Sequence, residues 1–415
     1  MLNTPFSPWP SFTEEEANAA RDVVLSNKVN YWTGQECREF EKEFAHWAGT
    51  AYAVALANGT VALDVALRAL GIGEGDEVVV TPRTFLASVS SIVNAGAVPV
   101  FAEVDRESQN ITVESINAVL TRRTRAVICV HLAGWPCDMD PIMAMADEYG
   151  LKVIEDCAQA HGAKYKGRSV GSIGHIGAWS FCQDKIMTTG GEGGMVTTND
   201  RALWSKMWSM KDHGKSWEAV YEREHSPGFR WLHDSFGTNW RMMETQAVIG
   251  RIQLQRMQGW HSRRTANAQK IWDCACQLPG LRVPVVPQEC VHAAYKCYVF
   301  VEPRHLAERW DRDRILAEIA ARGVPCFSGS CSEVYLEKAF DDTPWRPAQR
   351  LPVARELGET SLMFLVHPTL STEEVDKTCA VLAEVMAMAV AKAVVVVEAA
   401  AEALIEPPTA NQARA

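Results

Sequence analysis

The chain has 415 residues, 47% of them hydrophobic, and a net charge of −10 with its acids spread along the length. That size allows two domains around a sizeable buried core, and the acidic balance excludes an extended nucleic-acid surface while leaving room for a local basic pocket. Twelve cysteines, placed singly as at Cys129, Cys157 and Cys297, read as reduced thiols; the Cys274/Cys276 pair lacks a second pair or a nearby histidine, so no metal is expected.

The N-terminus, Met1 to Pro8, has no basic region followed by an apolar run, so no secretory signal is expected and the expected compartment is the cytoplasm. In Ala57-Asn58-Gly59-Thr60-Val61 a glycine and a hydroxyl open an apolar helix expected from Val61 to Leu70. Backbone N–H groups converge there, the helix dipole adds to them, and glycine permits close approach, which suits a phosphate at Gly59 and Thr60. Short apolar runs at Glu77–Val80, Val98–Phe101, Ala126–Val130 and Leu151–Ile154 alternate with helical segments at Ser88–Ala95 and from Pro141 to Tyr149. Continuous strands separated by helices imply an α/β architecture with a mainly parallel sheet covered on both faces. Phe85 follows the first of these strands; its spacing favours core packing, with stacking on an aromatic ligand as the alternative.

Ligands of such sheets sit at the carboxyl ends of the strands, where Asp156 and Ser180 fall. Downstream comes Lys185, followed by the glycine-rich Thr189-Gly190-Gly191-Glu192-Gly193-Gly194. A lysine that can form a Schiff base with an aldehyde, and a carboxylate that keeps a ring nitrogen protonated, are the two groups pyridoxal phosphate chemistry requires. Asp156 also suits a helix N-cap, and most lysines are solvated, so the pair carries the reading where neither residue would alone. Glu155 is expected on the other side of the strand end, and Ser180 offers a second hydroxyl to the phosphate.

Apolar spacing from Met242 to Asp273 predicts one or two long helices, and Tyr295–Val301 begins a new strand and helix group. The expected division is a large cofactor-binding domain with an N-terminal arm over 1–255, a smaller α/β domain over 256–390, and a terminal helix with a disordered tail over 391–415. Val394–Val397 is apolar, but Lys392, Glu398 and Glu402 interrupt it, so no membrane span is expected.

The segments Asn58-Gly59-Thr60, Thr81-Pro82-Arg83-Thr84-Phe85, Glu155-Asp156-Cys157-Ala158-Gln159-Ala160, Ser180-Phe181 with Lys185, Gly191-Glu192-Gly193-Gly194 and Asn239-Trp240-Arg241-Met242 occur in a familiar order. From Tyr31-Trp32-Thr33-Gly34 to beyond residue 255, the chain resembles the DegT/DnrJ/EryC1/StrS family of pyridoxal-phosphate-dependent nucleotide-sugar aminotransferases. The resemblance implies the aspartate aminotransferase fold (fold type I). It implies that Lys185 holds the cofactor, Asp156 binds the ring nitrogen, Gln159 lies against the ring near its hydroxyl and Phe85 stacks on it. Gly59, Thr60 and Ser180 would hold the phosphate, joined by Asn239 from the neighbouring subunit of a homodimer with shared active sites.

The implied reaction is amino transfer from an amino acid, expected to be L-glutamate, through the pyridoxamine form (PMP) to a keto group of a nucleotide-linked deoxysugar. The product would feed surface-polysaccharide, glycan or antibiotic glycosylation. A sugar dehydratase of the same fold would carry histidine in place of Lys185, and a PLP-binding regulator would need an added DNA-binding module, of which no sign precedes residue 30. Where many relatives carry a His-Tyr-x-x-Leu-His segment against the sugar nucleotide, this chain has Pro325-Cys326-Phe327-Ser328-Gly329-Ser330-Cys331-Ser332-Glu333, so those contacts do not carry over. Arg241 and the Tyr295-Lys296 pair are candidates for a diphosphate or donor carboxylate, with ordinary salt bridges as the alternative. Cys157 and His161 are given no catalytic role.

Overall fold

The computed structural model describes residues 5–390; the terminal helix and tail expected over 391–415 lie outside the described residues. Seven strands form the main sheet: β1 (Tyr52–Leu56), β2 (Glu77–Val80), β3 (Val98–Phe101), β4 (Thr124–Val130), β5 (Lys152–Asp156), β6 (Ile176–Ser180) and β7 (Gly194–Thr198). Their order is β1-β7-β6-β5-β4-β2-β3, with β6, β5, β4, β2 and β3 parallel and β7 antiparallel to both its neighbours. Val78, Val79 and Val80, like Ala126 to Val130, are buried without alternation, because helices cover both faces of the sheet. The mainly parallel α/β sheet read from the apolar runs is therefore present.

Helix α1 (Glu14–Leu25) precedes α2 (Glu36–Ala48), whose Phe40 and Phe44 pack on Phe181 at the end of β6. Helix α3 (Gly59–Ala69) buries Leu63, Val65, Ala66 and Leu67, and the Asn58 side chain caps it by accepting the amide of Val61 at 3.0 Å. Helix α4 (Ala87–Asn94) starts just after Phe85.

A second sheet is antiparallel: β8 (Leu281–Arg282), β9 (Cys297–Val301), β10 (Cys326–Phe327) and β11 (Ser361–Phe364), in the order β8-β9-β11-β10. One unbroken helix, α5 (Glu244–Ala275), joins the two sheets; Ala247 and Met257 sit in the core of the first, and Ala268, Ile271 and Ala275 in the core of the second. Residues 255 and 256, where the smaller domain was expected to begin, lie inside this helix, one of the long helices expected from Met242 to Asp273, and it contributes to both cores. Helix α6 (Thr372–Ala389) closes the second core with Val381, Leu382 and Val385. The arm before α1 crosses this part of the molecule: the amide of Ser7 donates to Glu374, and Trp9 packs edge-on to Trp260 with its ring stacked 6.0 Å from His367. All twelve cysteines are free.

Candidate active site

Strands β5 and β6 end side by side, and the loops after them bring the chemistry together. Asp156 is the last residue of β5 and Ser180 the last of β6. Alternation along β5 sends Glu155 to the opposite face. There the buried Glu155 carboxylate accepts from His131 Nε2 at 3.0 Å and from the amides of Gly171, Ile173 and Gly174. The His131 Nδ1 atom accepts the Cys137 amide, so its other nitrogen carries the proton. Burial works against the Glu155 carboxylate, but His131 and these amides outweigh it and hold its pKa below the usual value. The buried group of His131, Glu155 and Cys157 has metal-like proximity, yet its His131 and Glu155 atoms are already committed to each other and to backbone amides.

Asp156 faces a cavity of about 590 Å³ lined also by Gly59, Thr60, Phe85, Gln159, Ser180 and Lys185. Its Oδ2 accepts from the Ser88 hydroxyl at 2.8 Å and its Oδ1 from the Ala158 amide at 3.1 Å, while Ser88 and Thr84 share a 2.9 Å contact behind it. Burial pushes the Asp156 pKa up, with Ser88, Ala158 and the charge of Lys185 opposing. A cationic ring nitrogen is the partner that such a carboxylate lacks.

At the other end of the cavity, Gly59 and Thr60 supply first-turn amides that the helix leaves without intrahelical partners. A Cβ on Gly59 would stand 2.5 Å from Ser180 Cβ, so only glycine lets α3 meet the end of β6. A Cβ on Gly194 would lie 2.3 Å from the Asn58 carbonyl, which is why the glycine-rich stretch after Lys185 is needed at that point. Two amides, the Thr60 hydroxyl and the Ser180 hydroxyl around a helix N-terminus form a cradle suited to a phosphate. Asp156 fits a pyridinium at the far end, and Lys185 fits an aldehyde between them.

Lys185 hangs from a turn fixed by its own amide on Cys182 O and by the Trp9 indole N–H, which donates to Lys185 O at 2.8 Å. Its Nζ lies 3.8 Å from Asp184 Oδ1, too far for a tight pair. Burial opposes the Asp184 carboxylate, but Lys185, the Tyr295 hydroxyl and Lys296 together hold its pKa low. Gln159 turns its Oε1 onto the Ala133 amide at 2.9 Å, which fixes the side chain along the cavity wall. Phe85 is 69% exposed, so the core packing favoured by its spacing is overturned: the ring stands at the mouth of the cavity.

Asn239 lines neither this cavity nor the one beside it; it bridges through the backbone to Asp212. Arg241 donates to Asp212 Oδ1 at 2.7 Å, the salt-bridge alternative anticipated for it. His161 is buried against Trp179 and Phe181, and burial, with Lys185 and Arg264 adding, lowers its pKa to about 3. Sequence reading missed Thr84 and Ser88 as the support of Asp156, Asp184 beside Lys185, and Trp9. Only Asp184 carried a signal, an acid adjacent to the candidate lysine. A larger cavity of about 670 Å³ elsewhere holds paired surface charges such as Arg106–Glu356 and Arg355–Glu359, a solvated groove without such chemistry.

The model of the DegT/DnrJ/EryC1/StrS aminotransferase family matches residues 10–383. The chain belongs to that family. Its members are pyridoxal-phosphate-dependent aminotransferases, and the fold is theirs. The chain is 36% identical to the GDP-perosamine synthase of Escherichia coli O157:H7 over 375 residues, 89% of this chain and 95% of that one. It is 33% identical to the dTDP-3-amino-3,4,6-trideoxy-alpha-D-glucose transaminase of Streptomyces venezuelae over 360 residues, 86% of this chain and 89% of that one. An aminotransferase solved from Psychrobacter cryohalolentis superposes with a TM-score of 0.91 at 66% identity, covering 92% of this chain and 99% of its own.

Proposed function

We propose that this aminotransferase moves an amino group from an amino acid, with L-glutamate the expected donor, to a keto group of a nucleotide-linked deoxysugar used in surface-polysaccharide, glycan or antibiotic glycosylation. The single observation that carries the site assignment is the placement of Lys185 and Asp156 on one cavity whose other end is the Gly59–Thr60–Ser180 cradle. The relatives named for GDP- and dTDP-linked sugars support the substrate class.

Pyridoxal phosphate, when bound, supplies an electron sink and an aldehyde that carries the amino group between the two half-reactions. Gly59, Thr60 and Ser180 bind its phosphate. Asp156, held by Ser88 and Ala158, keeps the ring nitrogen protonated. Phe85 and Gln159 orient the ring from the cavity mouth and wall. The Lys185 amine would be released by the donor and would then be placed to hold or move a proton at the substrate carbon, with Asp184 Oδ1 3.8 Å from its Nζ.

The active form we propose is a cytoplasmic homodimer in which Asn239 of each protomer completes the other's phosphate cradle. Phe229, Trp231 and Phe236, all more than three-quarters exposed just before Asn239 in the chain, support a covered surface there. No helix among the described residues is long and apolar enough to cross a membrane. Borohydride reduction of the loaded enzyme followed by peptide mass mapping tests the assignment: the cofactor mass belongs on the Lys185 peptide, and its recovery on another lysine would overturn it.

A further inference from the structure

A second cavity of about 530 Å³ shares Thr84, Phe85, Gln159, Asp184 and Lys185 with the first and adds Tyr295, Lys296, Tyr298 and the stretch Gly329–Cys331. Its lining sets Lys185 and Lys296 against Asp184 and the exposed Glu337, and Glu337 forms no salt bridge with either lysine. Lys185 Nζ stands 5.2 Å from the centre of the Tyr295 ring and Lys296 Nζ stands 4.6 Å from the same centre. Asp184, the carboxylate beside these two lysines, accepts the Tyr295 hydroxyl and faces Lys185, so it is already engaged.

Behind this layer lies Arg264, 1% exposed, its guanidinium 4.8 Å from the Trp9 ring, with Nε and Nη2 lacking any hydrogen-bond partner among the described residues. Burial pulls Arg264 down to about 9, which still leaves it charged at neutral pH, and its field reaches Tyr295 and Lys296. Burial also lowers Lys296 to about 8; Asp184 opposes this, and Arg264 and Lys185 add to it. Two poorly solvated cations without a carboxylate of their own are costly to the empty protein, and an anionic ligand is what removes that cost.

We infer that Lys296, with Arg264 behind it, forms the subsite for a carboxylate of the amino donor. This rests on the aminotransferase reading given above. An amino acid carries its carboxylate on the same carbon as its amine. With the amine delivered next to Lys185, the carboxylate falls within reach of a cation over the same tyrosine ring. A keto sugar has no carboxylate there, and its diphosphate is separated from the reacting carbon by the sugar ring. The subsite therefore serves one half-reaction and stands open in the other, which suits one cavity to two chemically different substrates in turn.

The test is calorimetric titration of the loaded enzyme with glutarate, a dicarboxylate that has no amine to react, and separately with GDP, dTDP and UDP. Lys296→Met should weaken glutarate binding roughly tenfold or more, the scale of one lost hydrogen bond to a charged group, and leave nucleoside diphosphate binding unchanged. Lys296→Arg should restore most of the loss, and the bound-cofactor spectrum of each variant reports an intact fold. Unaltered glutarate affinity in Lys296→Met, no glutarate binding to the unmodified enzyme, or a loss confined to the nucleoside diphosphates would overturn the inference. Failure of the unmodified enzyme to exchange amino groups with any amino acid would instead overturn the aminotransferase reading itself.

Discussion

Replacing Asp156 by Asn removes a charge while keeping the shape of the site. The asparagine oxygen still accepts the Ala158 amide, and its NH₂ meets the Ser88 hydroxyl, which turns toward Thr84. Asp156 is 6% exposed, so its pairing with a ring cation is little screened by solvent. Removing one partner of a buried ion pair costs about 3–5 kcal/mol, which corresponds to roughly 10²–10⁴-fold in the rate of a step that depends on it.

Stability without cofactor should move the other way. Burial raises the Asp156 pKa in the folded protein, so the native state holds its proton more tightly than the unfolded chain and stability falls as pH rises from the unfolded toward the folded pKa. Above the unfolded pKa the carboxylate is therefore a burden on the folded protein that Asn relieves. The assays are thermal melting with and without pyridoxal phosphate, and stopped-flow absorbance of the L-glutamate half-reaction. The expected result is an unchanged or higher melting temperature without cofactor, a smaller gain on adding it, and a half-reaction slowed at least a hundredfold. A rate within threefold of the parent would refute the role given to Asp156, and a marked loss of cofactor-free stability would refute the electrostatic argument.

Lys185→Ala should abolish turnover while retaining some cofactor held only by phosphate and ring contacts, seen as absorbance that gel filtration strips away; parental turnover would remove Lys185 from its role. Gly59→Ala places a methyl 2.5 Å from Ser180 Cβ, and should cost about 1–3 kcal/mol in stability and weaken cofactor titration, since α3 and β6 must separate at the phosphate cradle. Glu155 has its folded pKa held below the unfolded value, so its contribution is present above the unfolded pKa and lost as pH falls through the folded one. Glu155→Ala should therefore lower the melting temperature strongly at pH 7 and much less under acidic conditions, and a pH-independent loss would contradict the buried-carboxylate account.

Residue chemistry made part of the site legible before any coordinates. Lys185, Asp156 and the Gly59-Thr60 pair are residue types that a phosphate, a pyridinium and an aldehyde call for, and all three fall on one cavity. The strands Glu77–Val80 and Val98–Phe101 match their apolar runs end to end, because turn residues bound each run and both faces are buried. What stayed hidden depends on contacts distant in sequence. Ser88 reaches Asp156 across 68 positions, and the Trp9 indole reaches the Lys185 carbonyl across 176, and no local pattern records either. From spacing alone Phe85 reads as core, because a phenylalanine after a strand ordinarily is; only the resemblance put it on a ligand, and the ring stands exposed at the cavity mouth. Arg264 sits on a long helix of mixed polarity, where nothing in the spacing marks its position as buried and unpaired. The long helix from Met242 onward was legible because its apolar spacing continues from one core into the other, and α5 runs through both.

The most direct test of the central claim is the visible absorbance of the purified protein, reconstituted with pyridoxal phosphate and titrated with L-glutamate. The account predicts a band at roughly 420 nm that converts toward roughly 330 nm and returns on adding a keto-sugar nucleotide. The absence of any such band after reconstitution would contradict it.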